Sequence, residues 1–135
     1  MTGAIVSSNG VLIDSDVLVW FTRGHPKAVA ALESAVDWYI SAVSYMELIQ
    51  GCRNKAELKA VQKALKSVDD GVLPVTQGIS DLACTLVEKY SLSHSVHLAD
   101  ALIAATALRH GLSLLTANIK NFQAIEALKI NTFLP

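Results

Sequence analysis

Long uninterrupted apolar runs are missing from this sequence. No stretch approaches the roughly 18 uncharged apolar residues of a membrane span, and the richest, Leu98 to Leu108, is interrupted by Asp100. A membrane protein is therefore not expected. Cysteine is scarce. Cys52 and Cys84 are the only two, in no C-x-x-C metal spacing, and are expected as small buried hydrophobes. Nothing calls for an oxidising compartment, so the cytoplasm is the expected location. An excess of one charge is lacking too: 11 basic residues face 12 acidic ones, for a net charge of −1. That is not the basic balance of a typical nucleic-acid binder. With three carboxylates on a metal, however, 11 basic residues would face 9 acidic ones, or +2, so charge neither requires nor excludes a nucleic-acid substrate. The first residues, MTGAIVSSNG, hold no basic segment and do not read as a signal peptide. Gly3, Ser7, Ser8, Asn9 and Gly10 give residues 1–9 the look of a flexible leader ahead of a single domain over residues 10–135.

What is present is apolar residue in short, regular pieces. At 135 residues and 52% hydrophobic, the chain can bury one core. Strands are predicted at Val11–Asp14, Trp38–Ser41, Val72–Val75, Leu112–Leu115 and Lys129–Thr132. Helices are predicted at Ser15–Phe21, Pro26–Ala35, Ser44–Gln50, Lys55–Ser67, Ile79–Tyr90 and Val96–His110. Proline at the first turn of the second helix, and Gly51 and Gly111 behind two others, punctuate this reading. Short apolar strands alternating with helices predict an α/β fold with a five-stranded, mainly parallel sheet between two helical layers. Ligands of such sheets bind beyond the carboxyl ends of the strands.

Three acids fall there. Asp14 ends the first strand, either as an N-cap or as a site acid. Glu47 follows the second strand, and Ser44-x-x-Glu47 also matches a capping box. Asp100 lies in LADALIAATAL, apolar on nearly every side. An unpaired buried carboxylate there costs several kcal/mol, so it calls for a cation, a salt bridge or a favourable helix terminus. Asn118, behind the fourth strand, offers an uncharged amide oxygen or a turn cap, and Thr116 can serve either role. Three acids from separate elements make a candidate hard-oxygen site for Mg²⁺ or Mn²⁺, suited to phosphodiester hydrolysis.

Taken together, strings carrying these acids resemble the PIN domain, and most of all VapC-type toxins of bacterial toxin–antitoxin pairs. They are Asp14-Ser15 after an apolar strand, Ser44-Tyr45-Met46-Glu47-Leu48, Leu98-Ala99-Asp100-Ala101-Leu102-Ile103-Ala104-Ala105-Thr106-Ala107, and Leu115-Thr116-Ala117-Asn118 with Phe122. The resemblance spans about Val11 to Leu134. It implies an α/β/α sandwich, Mg²⁺- or Mn²⁺-dependent endoribonuclease activity on RNA, and Asp14, Glu47 and Asp100 as acidic ligands, supported by Ser15, Ser44 and Thr116. It also implies a homodimer and a cognate antitoxin whose tail enters the active site. Many relatives carry a further acid near Asn118, where this chain has Asn118 and Asn121, leaving Asn118 as the candidate fourth ligand.

Other patterns are set aside. Asp14-Ser15-Asp16 matches the D-x-D of phosphatases with an aspartyl nucleophile, but after Thr116 only one acid, Glu126, follows. Asp16 reads as a first-turn acid. His94-x-x-His97 lacks the spacing of a helical zinc pair. Trp20, Phe21, Trp38 and Tyr39 read as core, and Lys55, Lys59, Lys63 and Lys66 as a solvated helix face or a phosphate contact. The alternative to an enzyme is a catalytically weak PIN scaffold that binds RNA or a protein.

Overall fold

The structure, a computed structural model, describes residues 6, 9–35 and 37–135. In chain order the elements are β1 (Val11–Ile13), α1 (Ser15–Thr22), α2 (Pro26–Ser34), β2 (Trp38–Ser41), α3 (Ala42–Gln50), α4 (Lys55–Ala64), a 3-10 stretch (Lys66–Gly71), β3 (Val72–Leu73), α5 (Gln77–His94), α6 (Leu98–His110), β4 (Ser113–Thr116), a 3-10 turn (Ile119–Asn121) and β5 (Ile130–Thr132). Most of the expected leader over residues 1–9 lies outside the described residues.

All strand pairs are parallel, in the order β3-β2-β1-β4-β5. Side chains of a strand alternate between faces, and here each strand feeds two cores. Leu12, Tyr39, Leu73 and Leu114 pack under α5 and α6. Their neighbours Ile13, Ile40 and Leu115 pack with Val17, Leu18 and Leu32 from α1 and α2. This alternation makes the α/β/α sandwich. The chain first steps from β1 out to β2 and β3, then returns to add β4 and β5 on the other side. The reversal leaves a crevice between the carboxyl ends of β1 and β4, where open α/β sheets bind ligands.

Helix α6 is nearly solid with small buried residues. Ala101, Ala104, Ala105 and Ala107 are fully buried, which lets α5 pack closely against it. Gly111 ends it with φ 67°, a left-handed conformation that glycine adopts at no steric cost.

Several boundaries differ from the predicted ones. Helix α3 begins at Ala42, because Ser41 caps it by accepting the Val43 N–H at 3.0 Å. Ser44 is thus inside the helix, buried, with no hydrogen-bond partner for its hydroxyl among the described residues. The predicted Ser44–Glu47 capping box does not form. Helix α4 stops at Ala64, and α5 starts at Gln77, where the Thr76 hydroxyl accepts the Ile79 N–H. Cys84 is exposed and Cys52 half-buried, so neither is the buried hydrophobe expected. Tyr39 is a core residue, whereas Trp20, Phe21 and Trp38 lie at the margin of the second core. Lys55, Lys59, Lys63 and Lys66 are all exposed.

The Ser41 cap yields a paired prediction. Ser41→Ala should lower the unfolding free energy by about 1 kcal/mol, as for other lost N-caps. Ser44→Ala should be neutral or slightly stabilising, since it removes a buried hydroxyl that bonds nothing. Urea unfolding of both variants checks this, and a larger loss for Ser44→Ala than for Ser41→Ala would contradict the cap assignment.

Candidate active site

Asp14 lies where β1 gives way to α1. The parallel ladder reaches it, with its N–H bonded to the Leu115 carbonyl at 2.9 Å. The residue is 5% exposed. One carboxylate oxygen accepts the Ser15 N–H at 2.8 Å, so Asp14 is the N-cap of α1. The other accepts the Thr116 hydroxyl at 2.7 Å. Ile13 pairs with Leu115 in the sheet, so Asp14 and Thr116 occupy the next rung. The cap and the site acid proposed as alternatives for Asp14 are therefore one and the same side chain. Ser15 contributes its backbone N–H.

Burial pushes the Asp14 carboxyl up from 3.8 to about 7. The charge of Asp16 adds to this, the bonds from Thr116 and Ser15 oppose it, and Glu47 raises it least. Among the described residues no lysine or arginine forms an ion pair with Asp14 or Asp16.

Asp16 is the residue that sequence reasoning passed over. One carboxylate oxygen accepts its neighbour Val17 N–H at 2.7 Å, as a first-turn acid can. The other accepts the Ala117 N–H at 3.1 Å and lies 3.5 Å from the Thr116 hydroxyl oxygen. Burial raises its carboxyl as well, against the pull of these bonds. The Asp14-x-Asp16 spacing was the available signal. What the sequence could not show was that the chain returns 101 residues later with a free N–H.

Thr116 is fully buried. Its hydroxyl has one proton, given to Asp14, and the same oxygen accepts the Asn118 N–H at 2.9 Å. Asn118 thus joins the site through its backbone, and its side chain is exposed. The amide that approaches an acid belongs to Asn121, whose Nδ2 lies 3.5 Å from Asp100 Oδ1.

Asp100 sits in the first turn of α6, and its side chain is 14% exposed. Its other oxygen accepts the His97 N–H at 3.2 Å, with His97 Nδ1 at 3.7 Å. Of the alternatives read for Asp100, the helix terminus is the one this contact realises. His97 caps the helix, and His94 ends α5.

Glu47, in the second turn of α3, is exposed. It lines a groove of about 270 Å³ between α1, α3 and α4, together with Val19, Arg23, Leu48, Arg53 and Val61. Among the described residues no three acidic, histidine or cysteine side chains already form a metal-binding cluster. Asp14 and Asp16 are the close pair, Glu47 acts on Asp14 through its charge, and Asp100 is joined to Asn121.

The donor set nonetheless suits a hard divalent cation. It consists of oxygens, and among the described residues its most buried carboxylate has no compensating charge.

The raised Asp14 carboxyl fixes a pH dependence. A folded-state value near 7 against 3.8 means that the folded protein binds the extra proton between these limits. Stability contributed by the protonated group is complete below about 4 and is lost as pH rises through about 7. At 1.36 kcal/mol per unit the ceiling is about 4 kcal/mol. In EDTA, Asp14→Asn should therefore gain stability relative to wild type between pH 4 and pH 7. Urea unfolding across that range measures the difference, and a difference that stays flat would rule out the shift.

Comparison with known proteins supplies the family. The PIN-domain model matches residues 11–128. The chain is 38% identical over 130 residues to ribonuclease VapC10 of Mycobacterium tuberculosis, covering 88% of this chain and 90% of that protein. It is 31% identical to ribonuclease VapC1 of Rickettsia felis, covering 91% and 96% respectively. Among solved structures it is similar to a toxin–antitoxin complex from Klebsiella pneumoniae, with TM-score 0.75, 28% identity and coverage of 90% and 96%. It shares its fold with VapBC2 of Rickettsia felis bound to a promoter DNA fragment, at TM-score 0.78, 18% identity and coverage of 93% and 99%. With its sheet order and its acids at the β1–β4 crevice, the chain belongs to the PIN-domain family, alongside proteins named ribonuclease VapC.

Proposed function

We propose that this chain is a Mg²⁺- or Mn²⁺-dependent endoribonuclease, the toxin of a toxin–antitoxin pair acting on RNA in the cytoplasm. The observation that carries the reading is the buried Asp14 carboxylate, next to a second acid and, among the described residues, without a cationic partner, in a chain 38% identical to a ribonuclease VapC. Asp14, Glu47 and Asp100 would hold the cation. When bound, a divalent cation supplies an activated water and stabilises charge on the phosphate. Around it, the Thr116 hydroxyl fixes the Asp14 carboxylate, and the His97 N–H fixes Asp100. Glu47 stands on the exposed side, where an RNA strand enters.

The groove that Glu47 lines is our candidate seat for an antitoxin segment. Val19, Leu48 and Val61 offer it an apolar floor, with Arg23 for an acidic group, while Arg53 is already paired with Glu57 at 2.7 Å. A segment lying there covers Glu47. The α5–α6 face exposes Leu98 at 70% and Leu92 completely, and we assign this face to a second copy of the chain.

Asp14→Asn and Asp100→Asn should each remove Mn²⁺-dependent cleavage of single-stranded RNA while still unfolding cooperatively. Glu47→Gln should cost orders of magnitude in rate and little stability. Cleavage at the wild-type rate by Asp14→Asn and Asp100→Asn would overturn the assignment. The competing reading, a PIN scaffold that binds without cutting, is favoured by the amides at Asn118 and Asn121, and predicts no cleavage by wild type in Mn²⁺.

Metal binding has its own signature. Mn²⁺ at a hundredfold excess over Kd should stabilise wild type by about 2.7 kcal/mol and Asp100→Asn hardly at all. Scanning calorimetry reads this directly, and equal shifts in the two proteins would place the cation elsewhere.

A further inference from the structure

Three acids, at the cap and in the first turn of α1 and in the first turn of α6, are tied to the end of β4 and the turn after it. Thr116 gives its hydroxyl proton to Asp14, Ala117 gives its N–H to Asp16, and Asn121 turns its amide toward Asp100. Two of these acids belong to the cation site proposed above. Asp16 does not, yet its carboxylate accepts the Ala117 N–H and so ties the first turn of α1 to this stretch.

We propose that Asp16 is a positioning residue for the cation site, holding Ala117 so that the Thr116 hydroxyl meets Asp14. This inference rests on the proposed cation site. The chain of constraint is short. The Asp16 carboxylate is fixed at one end by Val17 in the first turn of α1 and at the other by Ala117. The peptide between Thr116 and Ala117 is planar, so fixing the Ala117 N–H fixes the plane that follows Thr116. Thr116 is β-branched, with few allowed rotamers, so its backbone decides where its hydroxyl lies. The Asn118 N–H occupies the acceptor side of that hydroxyl, leaving the proton to point at Asp14.

A charge beside Asp14 is otherwise a poor choice. Among neighbouring charges, that of Asp16 acts most strongly against the ionised form of Asp14. A residue serving only the first turn of α1 could be an uncharged helix former, which brings no such repulsion. What a carboxylate adds is a second acceptor, reaching across the crevice to Ala117.

Asparagine keeps one acceptor and alanine keeps none, which makes the test. Mn²⁺ binding is measured by titration calorimetry for wild type, Asp16→Asn, Asp16→Ala and Asp14→Asn, with hydrogen exchange of the Ala117 N–H followed by NMR in EDTA. Asp16→Ala should weaken Mn²⁺ binding about tenfold or more, as loss of outer-shell partners does, and should expose the Ala117 N–H to exchange. Asp16→Asn should bind Mn²⁺ within about threefold of wild type and keep that N–H protected. Equal loss of Mn²⁺ in both Asp16 variants would overturn the proposal, since the charge itself would then be what the cation needs. Wild-type binding by both would overturn it too, leaving Asp16 as a helix-start residue alone. Asp14→Asn separates this from the broader reading. If it binds Mn²⁺ normally, the cation site is misplaced; if it fails to bind while both Asp16 variants succeed, only the positioning role falls.

Discussion

The hydrogen bond from Thr116 to Asp14, 2.7 Å long and fully inside the protein, is the constraint on which the rest of this site depends. An acidic residue at 5% exposure is tolerated because three things coincide. The helix α1 begins on it, so a backbone N–H is available. The neighbouring strand ends in a threonine at the same rung, so a hydroxyl is available. The residue stands at the carboxyl end of β1, where open α/β sheets bind ligands. An apolar residue at position 14 would make a more stable sheet end and no site at all. The cost is accepted where strand order reverses, the one place at which a parallel sheet cannot cover its own carboxyl edge.

From this pair the other elements take their places. The turn after β4 reaches back to α1 through Ala117 and across to α6 through Asn121. Helix α6 must lie close enough for Asp100 to meet Asn121, and its small residues make that approach possible. The small side chains of LADALIAATAL thus have a structural meaning beside any catalytic one: they seat the acid-bearing end of α6 near β4.

The architecture was legible in the sequence because apolar periodicity is a local property. Each strand and helix was found at its place, and errors fell at ends, where single caps decide. Ser44-x-x-Glu47 looked like a helix start because the pattern is correct; Ser41, at the very end of β2, claimed the cap first. Asp100 was legible as an acid out of keeping with its apolar surroundings, Asp14 by its place at the end of a strand, and Glu47 through the family resemblance, since its local pattern read equally as a cap. Asp16 and Asn121 were not legible, since both draw their meaning from partners far away in sequence. Asp16 has an ordinary local explanation, its bond to Val17, and that explanation hid the second one. The half-buried and exposed cysteines show the same weakness: composition predicts an average burial, not the side of a helix.

The order of strands has a consequence for the moment at which the site comes into being. Asp14 is made 102 residues before its donor Thr116. Thr116 in turn has its carbonyl held by the Phe133 N–H at 2.8 Å, with Phe133 buried at the edge of the second core. A ribosome releasing the chain from its N-terminus exposes β1, β2 and β3, with Asp14, Glu47 and finally Asp100, while the crevice still lacks its far wall. Only when residues 113–133 emerge do the hydroxyl and the N–H arrive that hold Asp14 and Asp16 in place. A nascent chain therefore bears Asp14, Asp16, Glu47 and Asp100 before the Thr116 hydroxyl and the Ala117 N–H exist to hold the first two from across the sheet.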